Sequence, residues 1–233
     1  MVGASRMAST SYKPREYWIE QGKVYKDNFK YNNKFQLQER FLIEYLANNI
    51  FTVVKEADKP VEMSVLEVGC GFGRITRLLL ENFGNSITKY VAVDMSPDQI
   101  SNAKRFVHES GKDQNLEFVV SDIQSLGSTG VYSEKYDLVL ACEVLLHVLP
   151  SEIEQVISQL TSMSSRHILN VDWYEEELPK KIAPHNFIHK YEEIYSNIPS
   201  VKQVRRIPIV KKGLLSKLDT KQSIFHASKQ AQN

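Results

Sequence analysis

Three glycines and two acids carry the first chemical signal in this chain. Gly69, Gly71 and Gly73 stand at alternate positions in Val65-Leu-Glu-Val-Gly-Cys-Gly-Phe-Gly73, at the end of an apolar run. Glycines there let the backbone turn sharply and let a ligand touch the main chain. A helix starting directly behind them offers unpaired N–H groups. The spacing is G-x-G-x-G, whereas the dinucleotide fingerprint places its third glycine one residue later. Asp94 ends a second apolar run, 25 residues after Gly69. An acid at that place can hold the two ribose hydroxyls of a nucleoside. Asp122, in Ser121-Asp122-Ile123, follows a third run.

A second group of residues could move protons. Glu143 and His147 are four apart and share a face if their turn is helical. His147 suits a general base because an unperturbed imidazole titrates near neutrality. It equally suits a histidine that bonds the backbone and shapes a loop. His185 and His189 have the spacing of a metal pair on a helix. No third ligand is evident, so no metal is expected; the two are candidates for catalysis or for capping and packing. Trp173, Tyr174 and Tyr191 lie near them, and such a lining suits a small polar acceptor with an apolar body.

These residues need elements to position them. Met63–Val68, Lys89–Asp94, Leu116–Val120, Tyr136–Ala141 and Arg166–Val171 read as strands. Helical patterns separate several of them: Ile75–Phe83, a helix capped by Ser96 with Pro97 at its first position, and Ser151–Met163. Strands that are apolar throughout and alternate with helices imply a parallel sheet covered on both faces. Right-handed crossovers then give a doubly wound α/β fold. Upstream, Phe35–Val54 reads as an amphipathic helix ending at Asp58-Lys59-Pro60, while residues 1–33 are aromatic-rich without a period. Downstream, Lys190–Ile198 reads as a short helix. Val201–Ile209 and Ser223–Ser228 read as two strands with no helix between them, forming an antiparallel hairpin at the sheet edge.

Residues 63–172 resemble the class I S-adenosylmethionine (SAM)-dependent methyltransferases. VLEVGCGFGR is similar to the family's first motif, VAVDMSPDQI to its second and FVVSDIQSL to its third. YDLVLACEVLLHVLP is similar to the segment that runs through the fourth strand into the active site. The resemblance implies a Rossmann-like, mostly parallel seven-stranded sheet with an antiparallel C-terminal hairpin strand. It implies SAM as cofactor, with S-adenosylhomocysteine as product. Glu67, Gly69, Cys70, Gly71 and Gly73 would form the turn beside the methionine part. Asp94 would bind the ribose, Met95 and Ile123 would pack near the adenine, and Asp122 would accept from its amino group. Ala141 and Cys142 would lie near the sulfonium. Tyr17 and Trp18, with Tyr25, would form a lid over the site or staple the segment to the core. The implied division is an N-terminal lid and helix over 1–56 and a methyltransferase domain over 57–233, in one unit.

Composition sets the outer bounds. The chain has 233 residues, 42% apolar and 24% charged, which excludes a disordered or collagen-like chain. Two cysteines make no disulfide framework, which fits a reducing compartment. No apolar run approaches the ~20 residues that span a bilayer. The expectation is a cytoplasmic protein, a monomer or homodimer, acting on an O or N atom of a small molecule. Charge is asymmetric: residues 180–233 carry 11 Lys+Arg against 3 Asp+Glu. Lys202, Arg205, Arg206, Lys211 and Lys212 therefore support an alternative, an acceptor in protein or RNA. Few aromatics are interleaved with these charges, which counts against nucleic acid. A non-catalytic SAM-binding protein is a third class, against which the intact glycines and acids argue. Ala141-Cys-Glu-Val144 stands where nucleic-acid amino-methylating enzymes carry Asp/Asn-Pro-Pro-Tyr/Phe. Cys142 also lacks the Pro-Cys context of cytosine-5 enzymes.

Overall fold

Val65, Leu66 and Val68 are each no more than 1% exposed, and so are Leu138, Val139 and Leu140. Strands with both faces covered must lie inside a layered sheet. The computed structural model describes residues 12–51, 53–54, 59–111, 115–126, 133–174, 183–212 and 217–229. Its helices are α1 (Pro14–Gly22), α2 (Tyr25–Asn28), α3 (Asn33–Asn49), α4 (Arg74–Phe83), α5 (Pro97–His108), α6 (Ile153–Met163) and α7 (Tyr191–Ser196). Two short strands, β1 (Val53–Val54) and β2 (Lys59–Pro60), pair antiparallel. The main strands are β3 (Met63–Val68), β4 (Ile87–Asp94), β5 (Leu116–Val120), β6 (Tyr136–Cys142), β7 (Ser164–Trp173), β8 (Gln203–Lys212) and β9 (Lys217–Ser228).

The seven main strands form one sheet in the order β5-β4-β3-β6-β7-β9-β8. The first five pair parallel. β9 runs antiparallel to both β7 and β8. The expected hairpin is therefore present, with β9 inserted between β7 and β8 so that β8 is the edge. Alternate residues of β3 face opposite layers. Leu66 and Val68 pack with Ile157, Leu160, Tyr191 and Tyr195 of α6 and α7. Met63 and Val65 pack with Leu42, Leu46, Leu79 and Ile100 of α3, α4 and α5. Chain order reverses between β3 and β6, and open α/β sheets bind ligands at the strand ends beside such a reversal.

One expectation is corrected. α3 stops at Asn49 rather than Val54, because Phe51 leaves the helix to stack on Phe83, with centroids 4.3 Å apart. The N-terminal stretch is helical despite lacking a period. Pro14 starts α1, where its missing N–H costs nothing. The rings of α1 and α2 then pack against several different elements instead of one apolar face. Among the described residues no helix is long and apolar enough to cross a membrane.

Candidate active site

β3, β4 and β6 deliver their last residues to one cavity of about 470 Å³. After β3 the chain turns through Gly69 and Gly71, at φ of 71° and 55°. A Cβ on Gly69 would stand 2.4 Å from Val144 Cγ2, whereas a Cβ on Gly71 would meet nothing within 4 Å. Gly69 is thus dictated by close packing and by its backbone angle, and Gly71 by the angle alone. Gly73, with φ of 87°, is the N-cap of α4 and turns toward Ala103 and Val107, away from the cavity.

Asp94 is the centre of this turn. Its Oδ2 accepts from Gly71 N and its Oδ1 from Ser96 N, both at 2.9 Å. Burial raises its pKa, opposed by those two hydrogen bonds. Each oxygen keeps a second lone pair for a ligand hydroxyl. Beneath it, Glu67 is 2% exposed. Its Oε2 accepts from Thr76 Oγ1 at 2.5 Å and Tyr90 OH at 2.7 Å. Burial pushes its pKa up to about 7, despite both donors. Gln99 also lines the cavity, and its Oε1 is buried with no hydrogen-bond partner among the described residues. An unpaired buried acceptor calls for an explanation, and a bound hydroxyl or amine would supply one.

Asp122, Met95 and Ile123 also line the cavity. The Asp122 carboxylate accepts from Ser125 N at 2.7 Å and Arg15 Nε at 3.2 Å. Burial would raise its pKa, but Ser125 and Arg15 outweigh that and hold it below the usual value. Cys142, Glu143 and His147 line the same cavity, as do Trp18, Tyr25 and Phe29. Glu143 has φ of 58°, unusual for a residue with a side chain, and its N–H is tied to Val171 O. Its Oε1 accepts from Gln222 Nε2 at 2.6 Å and its Oε2 from Arg74 at 3.3 Å. Arg74 also donates to Gln38 Oε1 and Glu39 Oε1, and its guanidinium lies 4.9 Å from the Phe35 ring centroid.

His147 is framed on two sides. Its Nδ1 is 3.2 Å from His185 O, and the Trp18 ring centroid lies 4.3 Å from its own. Burial brings its pKa down to about 4, so the imidazole is neutral at pH 7. Nδ1 must then be the protonated nitrogen, since a carbonyl only accepts, and Nε2 carries a lone pair. Asp172, 0% exposed, accepts from Leu146 N at 3.3 Å and anchors this turn.

Most of the residues singled out in the sequence meet here: Glu67, Gly69, Cys70, Gly71, Asp94, Met95, Asp122, Ile123, Cys142, Glu143, His147 and Trp18 all line the cavity. Several do not. Gly73 caps α4, and Ala141 is sealed in the core. His185 packs behind His147 against the Tyr17 ring, which also stays off the lining. His189 is 5% exposed, with Nε2 spent on Val148 O. Tyr191 is 1% exposed, and Tyr174 lies under the Arg206 guanidinium. Trp173 ends β7 beside Gln222. No cluster of three metal-ligating side chains occurs among the described residues. Sequence reading missed Arg15, Arg74, Gln99 and Gln222. Arg74 alone had a signal, as the residue directly after the glycine turn.

A doubly wound sheet of this order, with a glycine turn, a buried strand-end acid and a second acid one strand out, defines a class I SAM-dependent methyltransferase. The chain belongs to the methyltransferase domain family, whose profile matches residues 59–224. It is 31% identical over 96 residues to a malonyl-[acyl-carrier protein] O-methyltransferase of Acetivibrio thermocellus. That stretch is 41% of this chain and 30% of the relative, so the chain matches about a third of that protein's length. In fold it is similar to the magnesium protoporphyrin IX methyltransferase of Synechocystis PCC 6803, solved with bound SAM. The TM-score is 0.65 at 16% identity, covering 95% of this chain and all of that one. It is likewise similar to the N-methyltransferase NodS of Bradyrhizobium japonicum WM9, solved with S-adenosylhomocysteine. That TM-score is 0.65 at 14% identity, covering 94% of this chain and 100% of that one.

Proposed function

We propose that this protein transfers the methyl group of SAM to an O or N atom of a small-molecule acceptor. One observation carries the reading: the buried Asp94 carboxylate, held by Gly71 N and Ser96 N, lines a cavity that Glu143, His147 and Trp18 line as well. The donor set fits the cofactor. Asp94 suits two ribose hydroxyls, Asp122 an exocyclic amine, and the Gly69–Gly71 turn the methionine part. Bound there, SAM supplies an activated methyl group on a sulfonium that departs as a neutral thioether. The chain's task is then to align the acceptor and to exclude water.

Trp18, Tyr25 and Phe29 wall off one side. Neutral His147 offers Nε2 as a hydrogen-bond acceptor, orienting an acceptor hydroxyl or amine and receiving its proton as the bond forms. Glu143 is held by Arg74 and Gln222 so that its carboxylate keeps one direction. The cytoplasm as location and a monomer or homodimer as assembly belong to the same reading.

A second reading places the acceptor in a protein or RNA, recognised by the basic C-terminal segment. In β8, Arg205 and Lys211 are exposed, which favours it. Arg206 is engaged with Glu192 and Tyr174, which does not. The test is incubation with methyl-labelled SAM and two host-extract fractions, small molecules and macromolecules, with Asp94→Ala as the blank. Label in the small-molecule fraction supports the proposal. Label on protein or RNA overturns it in favour of the second reading.

A further inference from the structure

Gln99 belongs to a helix-capping pattern that the structure leaves half closed. Ser96-Pro-Asp-Gln99 has the S-x-x-Q spacing of a capping box. In that motif the serine side chain accepts from the glutamine N–H, and the glutamine side chain accepts in return from the serine N–H. The first bond is present: Ser96 Oγ accepts from Gln99 N at 3.3 Å. The second is missing, because Ser96 N donates instead to Asp94 Oδ1 at 2.9 Å. Asp94 has taken the donor that Gln99 would ordinarily use. Solvent does not replace it. Gln99 is 6% exposed, and its Oε1 is buried without a hydrogen-bond partner among the described residues. α1 closes over it, since a Cβ on Gly22 would stand 3.2 Å from Gln99 Cγ. A buried acceptor left unpaired destabilises the empty protein.

The unpaired amide belongs to a residue that a ligand can meet. Gln99 and Asp94 both line the cavity. A glutamine at this position of a capping box can reach the serine N–H, and Asp94 Oδ1 sits on that same N–H. The amide and the carboxylate therefore share one neighbourhood. Their chemistries are complementary. An ionised carboxylate only accepts hydrogen bonds, whereas an amide head offers N–H donors and an acceptor. The last torsion of a glutamine side chain is broad and two-fold, so either end of the head can be turned to a ligand. A sugar hydroxyl both donates and accepts, and a pair of them asks for this combination. Given the reading of Asp94 as the ribose acid, we propose that Gln99 is a second ribose-binding residue, bonding a cofactor hydroxyl beside Asp94. Cofactor binding then removes the unpaired group that the empty protein carries. An analogue without that hydroxyl leaves the amide unpaired, so Gln99 makes the site selective for an intact ribose.

Calorimetric titration of the full chain tests this, for the wild type and for Gln99→Met. The probes are S-adenosylhomocysteine and its 2′-deoxy and 3′-deoxy analogues. Methionine keeps the length of the side chain and removes its polar head. Because that head is unpaired without ligand, the ligand-free variant is expected to melt at the wild-type temperature or above it. It is expected to bind S-adenosylhomocysteine at least about fivefold more weakly, the net worth of one ordinary hydrogen bond. On one of the two deoxy analogues, variant and wild type are expected to agree within about twofold, since the partner hydroxyl is already gone. Unchanged affinity for S-adenosylhomocysteine overturns the proposal. Equal weakening on all three ligands also overturns it, by marking a packing effect. A variant that melts well below the wild type, or does not fold, overturns it too, because the amide would then be paired in the empty protein. Melting and S-adenosylhomocysteine affinity decide the matter even where a deoxy analogue binds too weakly to titrate. Failure of S-adenosylhomocysteine to bind the wild-type chain overturns the reading of the cavity itself, and so is told apart.

Discussion

Asp94 gains its power from being fixed before any ligand arrives. Both oxygens are oriented by backbone N–H groups, so little reorganisation remains on binding. Asp94→Ala should weaken SAM binding by about 1.5–3 kcal/mol, the range for charge-assisted hydrogen bonds; unchanged affinity by calorimetry would refute the ribose role. Glu67 gives a pH signature. Its pKa is about 7 in the fold against 4.5 for an ordinary glutamate. The folded state therefore binds a proton that the unfolded state does not bind until lower pH. Wild-type stability should rise relative to Glu67→Gln as pH falls from 8 to 5, in paired thermal melts. His147 behaves in the reverse sense, staying neutral down to about pH 4. The profile of kcat/KM should show no imidazole step between pH 5.5 and 7.5. A step there that vanishes in His147→Gln would show the imidazole to be hydrated.

At the scale of elements, α1 straddles the cavity. Arg15 reaches Asp122, Trp18 packs on His147, and Gly22 touches the start of α5. A Cβ on Gly22 would lie 2.1 Å from Ser96 Oγ, which itself caps α5 by accepting from Gln99 N. Gly22→Val therefore cannot dock without moving a capping group. The expected loss is about 1–3 kcal/mol of stability, as for other overpacked sites, with weakened SAM binding because Arg15 and Trp18 move with the helix. Urea melts and calorimetry read the two effects. Deletion of residues 1–33 separates a lid from a staple: normal folding with intact SAM affinity and turnover would sink the lid role.

For the whole molecule, two helical layers clamp one sheet, and the site inherits its rigidity from that clamp. Leu140 is 0% exposed, in β6 two residues before Cys142, the strand's last residue, which lines the cavity. Leu140→Ala should cost about 2–5 kcal/mol, as for other buried leucines. A urea midpoint unchanged by that substitution would contradict the packing described for this layer.

Much of this was legible in the sequence because it is written locally. Continuous apolar runs revealed the strands, a serine–proline pair marked the start of α5, and alternate glycines marked a turn in which the backbone takes positive φ. Those signals rest on the conformational limits of single residues and on burial periodicity, so they survive without knowledge of neighbours. Val65–Gly73, Asp94 and Asp122 were identified on that basis. Tertiary structure alone decided which long-range partners meet. Arg74 is joined to Gln38 and Glu39 of α3 and to Glu143 after β6, and Gln222 of β9 completes the set from 79 positions beyond Glu143. His185, His189 and Tyr191 had plausible site chemistry by type, yet packing spends them on the frame of the site. Hydrogen-bond and ion-pair partners far apart in the chain leave no periodic trace, and only the packed layers bring them together.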